Sequence, residues 1–176
     1  MVLESMEHVR ARGGTPLAIL AGHATTCDPY SVSVTSPRPD ALVAAMRMAL
    51  ARSGEAPGSV DYVNAYVNGT RTGDAVEGQA IAQVFGSASR AVPVSSLKSM
   101  IGHAFGASAI VESTACILAI AHSFVPPSVN SENLDPDVGD IWVPKYPIRR
   151  PIRVVLKNSC SFGNRYTSLV WRAVDA

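Results

Sequence analysis

Between Ala104 and Ala121 the chain is almost entirely small or apolar, interrupted only at its middle by Glu112, Ser113 and Thr114. Roughly eighteen such residues approach the length that crosses a bilayer. A carboxylate at the centre is costly in lipid, however, and argues against that reading. A helix apolar on nearly every side is expected inside a layered protein, with covering elements on both flanks. This one segment demands neighbours that the rest of the chain has to supply.

Those neighbours alternate in type. A helix is expected over residues 3–12, closed by Gly13-Gly14, and a strand over 17–24. Residues 28–39 form a polar, proline-bearing loop. Leu42, Val43, Met46 and Leu50 recur at helical spacing within 39–53, with Arg47 and Arg52 outward and Gly54 as the stop. A short strand over Val60 to Ala65 leads through a Gly/Asn/Thr-rich loop to a helix from about Asp74 to Phe85. Val92 to Ser95 reads as another short strand. After the apolar helix, prolines punctuate the chain to residue 151, and Ile152 to Asn158 and Thr167 to Val174 form a closing antiparallel hairpin. Strands separated by helices predict an α/β protein with a mixed sheet covered by helices and one buried central helix. No internal domain boundary is visible in residues 1–176.

Nearly half of the residues are hydrophobic and only 16% are charged. So few solvating charges suggest that some surface is covered by another chain. A net charge of +1 and no run of Lys or Arg exclude a nucleic-acid backbone binder. Cys27, Cys116 and Cys160 are odd in number and widely spaced, which makes neither a metal knuckle nor a disulfide framework. No signal peptide is visible, so a reduced, cytoplasmic setting is expected.

Three loops sit where α/β folds gather chemistry, at strand ends and helix starts: 64–74, 95–103 and 158–164. The second places Lys98 and His103 just ahead of the apolar helix. The positive end of a helix dipole favours a neutral imidazole in a fixed tautomer. A lysine drawn to the same place needs a carboxylate, for which Glu77 and Glu112 are the candidates. The plainer alternative is a buried histidine satisfied by a backbone carbonyl and a lysine capping a loop.

The runs Val60-Asp61-Tyr62-Val63-Asn64-Ala65, Ser95 through Ala107, and Val125-Pro126-Pro127-Ser128-Val129-Asn130 resemble the β-ketoacyl-(acyl carrier protein) synthases, the thiolase-fold condensing enzymes. So do Val2-Leu3-Glu4, Gly73-Asp74 with Glu77, and Asn158-Ser159 with Phe162-Gly163. They fall in family order across essentially the whole chain. The resemblance implies the C-terminal half of the duplicated thiolase fold, without the half that carries the nucleophilic cysteine. In that family a Cys thiolate takes an acyl group from the phosphopantetheine of an acyl carrier protein. Two histidines then stabilise the enolate formed when a malonyl unit loses carbon dioxide.

By this resemblance His103 matches the second family histidine, Lys98 the family lysine, Thr70 and Thr35 threonines that contact pantetheine, and Phe162 the gating phenylalanine. Glu77, Asn68 and Gly163 belong to the same wall. Tyr66 stands where the first histidine is usual, and Val67-Asn68-Gly69 where Gly-Thr-Ser is usual. Cys160 and Ser161 replace Phe-Gly, and Asn164-Arg165-Tyr166 replaces Gly-Thr-Asn. A tyrosine donates a hydrogen bond but is no base near neutral pH without a large shift. Neither a metal nor a cofactor is expected beyond the substrate's own carrier. The partners expected are an N-terminal-half ketosynthase-like chain, in a heterodimer or higher assembly, and an acyl carrier protein. Nucleic acid and membrane are not expected. The alternatives are a non-catalytic, chain-length-factor-like or scaffolding subunit, and a piece of a longer synthase.

Overall fold

The computed structural model describes residues 1–174. Helix α1 spans Met6–Ala11 and starts later than residue 3, because Ser5 caps it by accepting the His8 N–H at 3.2 Å. Strand β1 spans Ile19–Cys27. It extends past the expected residue 24 because Thr25 and Thr26 are β-branched and continue the pairing, with Thr25 Oγ1 2.9 Å from Thr167 Oγ1. Helix α2 spans Asp40–Ser53 and stops at Gly54, which takes φ +74°.

Strand β2 (Tyr62–Asn64) leads to helix α3 (Arg71–Phe85). That helix begins three residues ahead of Asp74, since the Asp74 N–H already closes a turn onto the Thr70 carbonyl. Strand β3 is only Val94–Ser95, and the following loop contains a one-turn helix, α4 (Lys98–Ile101), which the sequence pattern did not reveal. Helix α5 spans Ser108–His122. The proline-rich stretch holds two small strands, β4 (Phe124–Val125) and β5 (Ile148–Arg149), paired with each other. The closing hairpin is β6 (Val154–Ser161) and β7 (Arg165–Arg172).

The main sheet has strand order β1-β7-β6-β2-β3. The β1-β7 and β7-β6 pairs are antiparallel, while β6-β2 and β2-β3 are parallel. Helices α2 and α3 cover one face, where Met46, Leu50, Ile81 and Phe85 pack on Val63, Leu156 and Val170. Helix α5 covers the other face through Cys116, Ala119 and Ile120 against Tyr62, Val155 and Trp171. The α/β architecture with a mixed sheet is therefore the one the sequence predicts.

The layers lie unusually close at two points. A Cβ at Gly22 would sit 2.3 Å from the Ala49 carbonyl of α2, and one at Gly78 would sit 2.0 Å from the Val138 carbonyl. Only glycine fits such approaches of backbone to side-chain space.

The central helix corrects one expectation. Residues Phe105–His122 are long and apolar enough for a membrane span by length and composition alone, and only part of them is buried. The side carrying Glu112, Cys116 and Ile120 rests on the sheet. Ile110, Val111 and Leu118 remain 40–51% exposed on the other side. The chain supplies one of the two covers that the sequence demands.

Candidate functional site

The three loops singled out in the sequence converge on one cavity of about 510 Å³. Tyr66, Asn68, Thr70 and Glu77 come from the β2–α3 segment, and His103 and Phe105 from the loop before α5. The hairpin contributes Asn158 through Asn164, and the 32–35 loop contributes Val32, Val34 and Thr35. Of the residues expected at the site, Tyr66, Asn68, Thr70, Thr35, Glu77, His103, Phe162 and Gly163 line this space. Lys98 does not. It lies one layer behind Tyr66 and faces a second hollow of about 500 Å³.

Tyr66 and His103 meet across the cavity. Tyr66 Oη is 3.3 Å from His103 Nε2, and the rings meet edge to face at 86°. Burial, with Cys160 as a lesser cause, pushes the Tyr66 phenol above its ordinary value, so it remains a neutral donor. Asn68 Nδ2 donates to the phenol oxygen at 3.4 Å. His103 Nδ1 lies 2.7 Å from Ser108 Oγ, which also accepts the Ala104 N–H. The assignment that satisfies the set and leaves donors for the cavity has Ser108 Oγ–H donating to His103 Nδ1 while accepting the Ala104 N–H. Both Asn68 Nδ2 and His103 Nε2–H then donate to Tyr66 Oη, whose own O–H is left free. The histidine is thus satisfied by side chains, not by a backbone carbonyl. It also sits five residues before α5, so Ser108 rather than the helix start fixes its tautomer.

Phe105 stacks on His103 with centroids 4.9 Å apart and planes within 15°. It takes φ +47°, unusual for an aromatic residue, and the residue is 75% exposed. Nothing in a lone Phe in an apolar run signals this role.

Behind Tyr66 lies a buried charge cluster. Lys98 Nζ donates to Glu112 Oε1 and, at 2.5 Å, to the Tyr66 carbonyl, and stands 4.4 Å from the centre of the Tyr66 ring. Burial pulls the Lys98 amine below its ordinary value, Glu112 opposes that shift, and Lys157 adds to it. Glu112 is therefore the carboxylate for Lys98, and Glu77 is not. Glu77 instead accepts the Tyr66 N–H at 2.9 Å, the Val67 N–H at 2.8 Å and Asn158 Nδ2 at 3.1 Å. It fixes the backbone that aims Tyr66. Deleting one member of such a buried pair costs about 3–5 kcal/mol.

The opposite wall is held by Asn164, at φ +50°. Its side chain accepts the Ser36 N–H and donates to the carbonyls of Ser31 and Val34. The Gly163 N–H adds a bond to the Val32 carbonyl at 2.7 Å. Thr70 Oγ1 donates to Asn68 Oδ1 at 2.7 Å at the mouth, and Phe162 stands 76% exposed on the rim. Among the described residues no His/Cys/Asp/Glu group could hold a metal ion.

A sheet sandwiched between α2–α3 and a single apolar helix, with Tyr66, His103 and a Phe-tipped hairpin around one cavity, defines a thiolase-type condensing-enzyme half. The chain belongs to the β-ketoacyl synthase family through its C-terminal domain, which matches residues 17–132. It is 38% identical over 173 residues to nodulation protein E of Rhizobium sp. (strain N33), covering 98% of this chain and 42% of that protein. It is 36% identical over 172 residues to 3-oxoacyl-[acyl-carrier-protein] synthase 2 of Synechocystis sp., covering 98% and 41%. Among solved structures it superposes on a type II polyketide ketosynthase in complex with its acyl carrier protein and bound to the hexaketide. That match has a TM-score of 0.92 and 35% identity, over 98% of this chain and 42% of the other. The chain spans well under half the length of these relatives.

Proposed function

We propose that this chain forms one wall of a ketosynthase-like acyl-transfer site in fatty-acid or polyketide-type biosynthesis, completed by an N-terminal-half chain that brings the cysteine nucleophile. The observation that carries it is the Tyr66–His103 pair, with hydrogen-bonding groups 3.3 Å apart in a cavity large enough for an acyl chain. His103 and the neutral Tyr66 phenol donate to the thioester oxygen as charge develops there. Lys98 stiffens Tyr66 from behind, and Glu77 fixes its backbone. Asn68, Thr70 and Thr35, with Phe162 and Gly163 at the rim, line the path of the phosphopantetheine arm of an acyl carrier protein. The chain needs no cofactor of its own in this role, acts as a heterodimer or larger assembly, and works in the cytoplasm.

The test is acyl loading and transfer by the complex of this chain with an N-terminal-half ketosynthase chain. His103→Ala lowers transfer by about a hundredfold, the range of one lost oxyanion donor. An unchanged rate overturns the catalytic role assigned to this wall.

Tyr66 favours a second reading. A tyrosine lacks the basicity of the histidine usual there, so the chain serves as a chain-length-factor-like or scaffolding subunit that shapes a partner's pocket. Release of labelled carbon dioxide from a malonyl carrier protein separates the two, because only the first reading allows it to depend on His103.

A further inference from the structure

Strand β6 carries a lysine, Lys157, that the sequence reading left without a role and that is completely buried. An ammonium has three N–H donors, and each finds an acceptor here: Glu112 Oε2 at 2.6 Å, the Asn158 carbonyl at 2.5 Å and Ser159 Oγ at 2.7 Å. It is therefore fixed rather than merely accommodated. Glu112 comes from the helix on one face of the sheet, while Asn158 and Ser159 line the cavity. The β2–β6 register sets Lys157 beside Asn64, whose Oδ1 is buried with no hydrogen-bond partner among the described residues.

Lys157 adds a second cation to the buried cluster. Lys98 and Lys157 face Glu112 from its two oxygens, and Glu77 supplies the second negative charge from α3. The other titratable groups at the cluster are Tyr62 and Cys116 around Glu112, and Asp74, Cys160 and Tyr166 beside Glu77. Burial holds the Tyr62 phenol well above its usual range and pushes the Cys116 thiol up to about 12, so both are neutral, as is Tyr66. Lys98, Lys157, Glu112 and Glu77 are all at most 8% exposed.

We propose that Lys157 is a positioning residue of the site. It occupies one oxygen of Glu112, so that Lys98 is held by the other oxygen alone and keeps its charge directed at the carbonyl and ring of Tyr66. Without Lys157, both oxygens of Glu112 turn to Lys98, and the ammonium, still charged, is drawn toward the carboxylate and off the carbonyl and ring of Tyr66. The inference deepens the acyl-transfer reading and rests on it, but its central readout requires no activity.

That readout is the titration of the Lys98 amine by NMR in protein labelled with ¹⁵N at lysine Nζ, in the assembly in which the chain purifies. In Lys157→Met the Lys98 titration moves up by about one pH unit, as expected when an opposite charge comes closer and a like charge leaves. In the same variant kcat for acyl transfer falls about tenfold with KM within about twofold, and the pH profile moves with Lys98. Loss of packing alone would lower the unfolding midpoint and leave the titration in place. The charge-balanced double variant Lys157→Met/Glu112→Gln covers the case in which the single variant does not fold. There the Lys98 titration moves below that of the unsubstituted protein. A Lys98 titration unchanged in either folded variant overturns the proposal. If acyl transfer is absent from the unsubstituted complex, the functional reading fails while the Lys98 titration still decides the role of Lys157.

Discussion

Cys160 shows how a residue's surroundings decide its chemistry. It replaces the phenylalanine usual in this family and lines the cavity beside Tyr66, a position that invites the idea of a second nucleophile. Burial, reinforced by Glu77, raises its thiol to about 11. The nucleophile is the thiolate, and very little of it exists at neutral pH. Iodoacetamide at pH 7.5 is therefore expected to alkylate Cys160 at least about tenfold more slowly than an unshifted model thiol, read by peptide mass. Rapid labelling would restore a reactive role. The sequence already pointed to Tyr66, His103, Lys98 and Glu77, because family spacing singles out positions. It could not apportion the two glutamates, since both Glu77 and Glu112 lie within plausible reach of Lys98 until α3 and α5 are placed. Lys157 carries no such signal, because in a strand otherwise rich in Val and Leu a lysine reads as an outward-pointing residue.

Helix α3 and the loop before it belong to the scale of elements. The Asp74 carboxylate closes that loop by accepting the backbone N–H of Asn68 at 3.2 Å and, more weakly, those of Gly69 and Thr70. Burial, with Glu77 nearby, nevertheless raises Asp74 from 3.8 to about 6. The folded state thus holds this proton more tightly than the unfolded chain. The stability linked to Asp74 is present below pH 3.8 and is lost as pH rises to about 6. Urea midpoints measured across that window are expected to fall with pH by this contribution, and Asp74→Asn to flatten it. A slope that Asp74→Asn leaves intact would assign the effect to other groups. Most elements were legible from periodicity and from stops such as Gly54. The boundaries that moved, at β1 and α3, moved because pairing with β7 and a turn onto Thr70 outweigh local composition. Helix α4 and the β4–β5 pair are too short to leave a periodic signature.

At the scale of the whole molecule, α5 presents a layer that this chain covers on one side only. Ile110, Val111 and Leu118 form an exposed apolar strip on α5. Contiguous apolar surface of this kind marks an interface. Leu118→Glu is expected to leave the circular dichroism of the chain unchanged while abolishing co-purification with the N-terminal-half chain. Retention of the complex would place the interface elsewhere. The sequence foresaw an element needing two covers, and composition foresaw a shortage of solvating charge. Which side stays bare depends on the register of α5 on the sheet. The hairpin and the 31–36 loop are joined by four hydrogen bonds, three from Asn164 and one from Gly163. Two stretches far apart in sequence therefore behave as one panel: a displacement that swings Phe162 off the rim carries Val32 and Val34 with it, so the two sides of this wall cannot be resized independently.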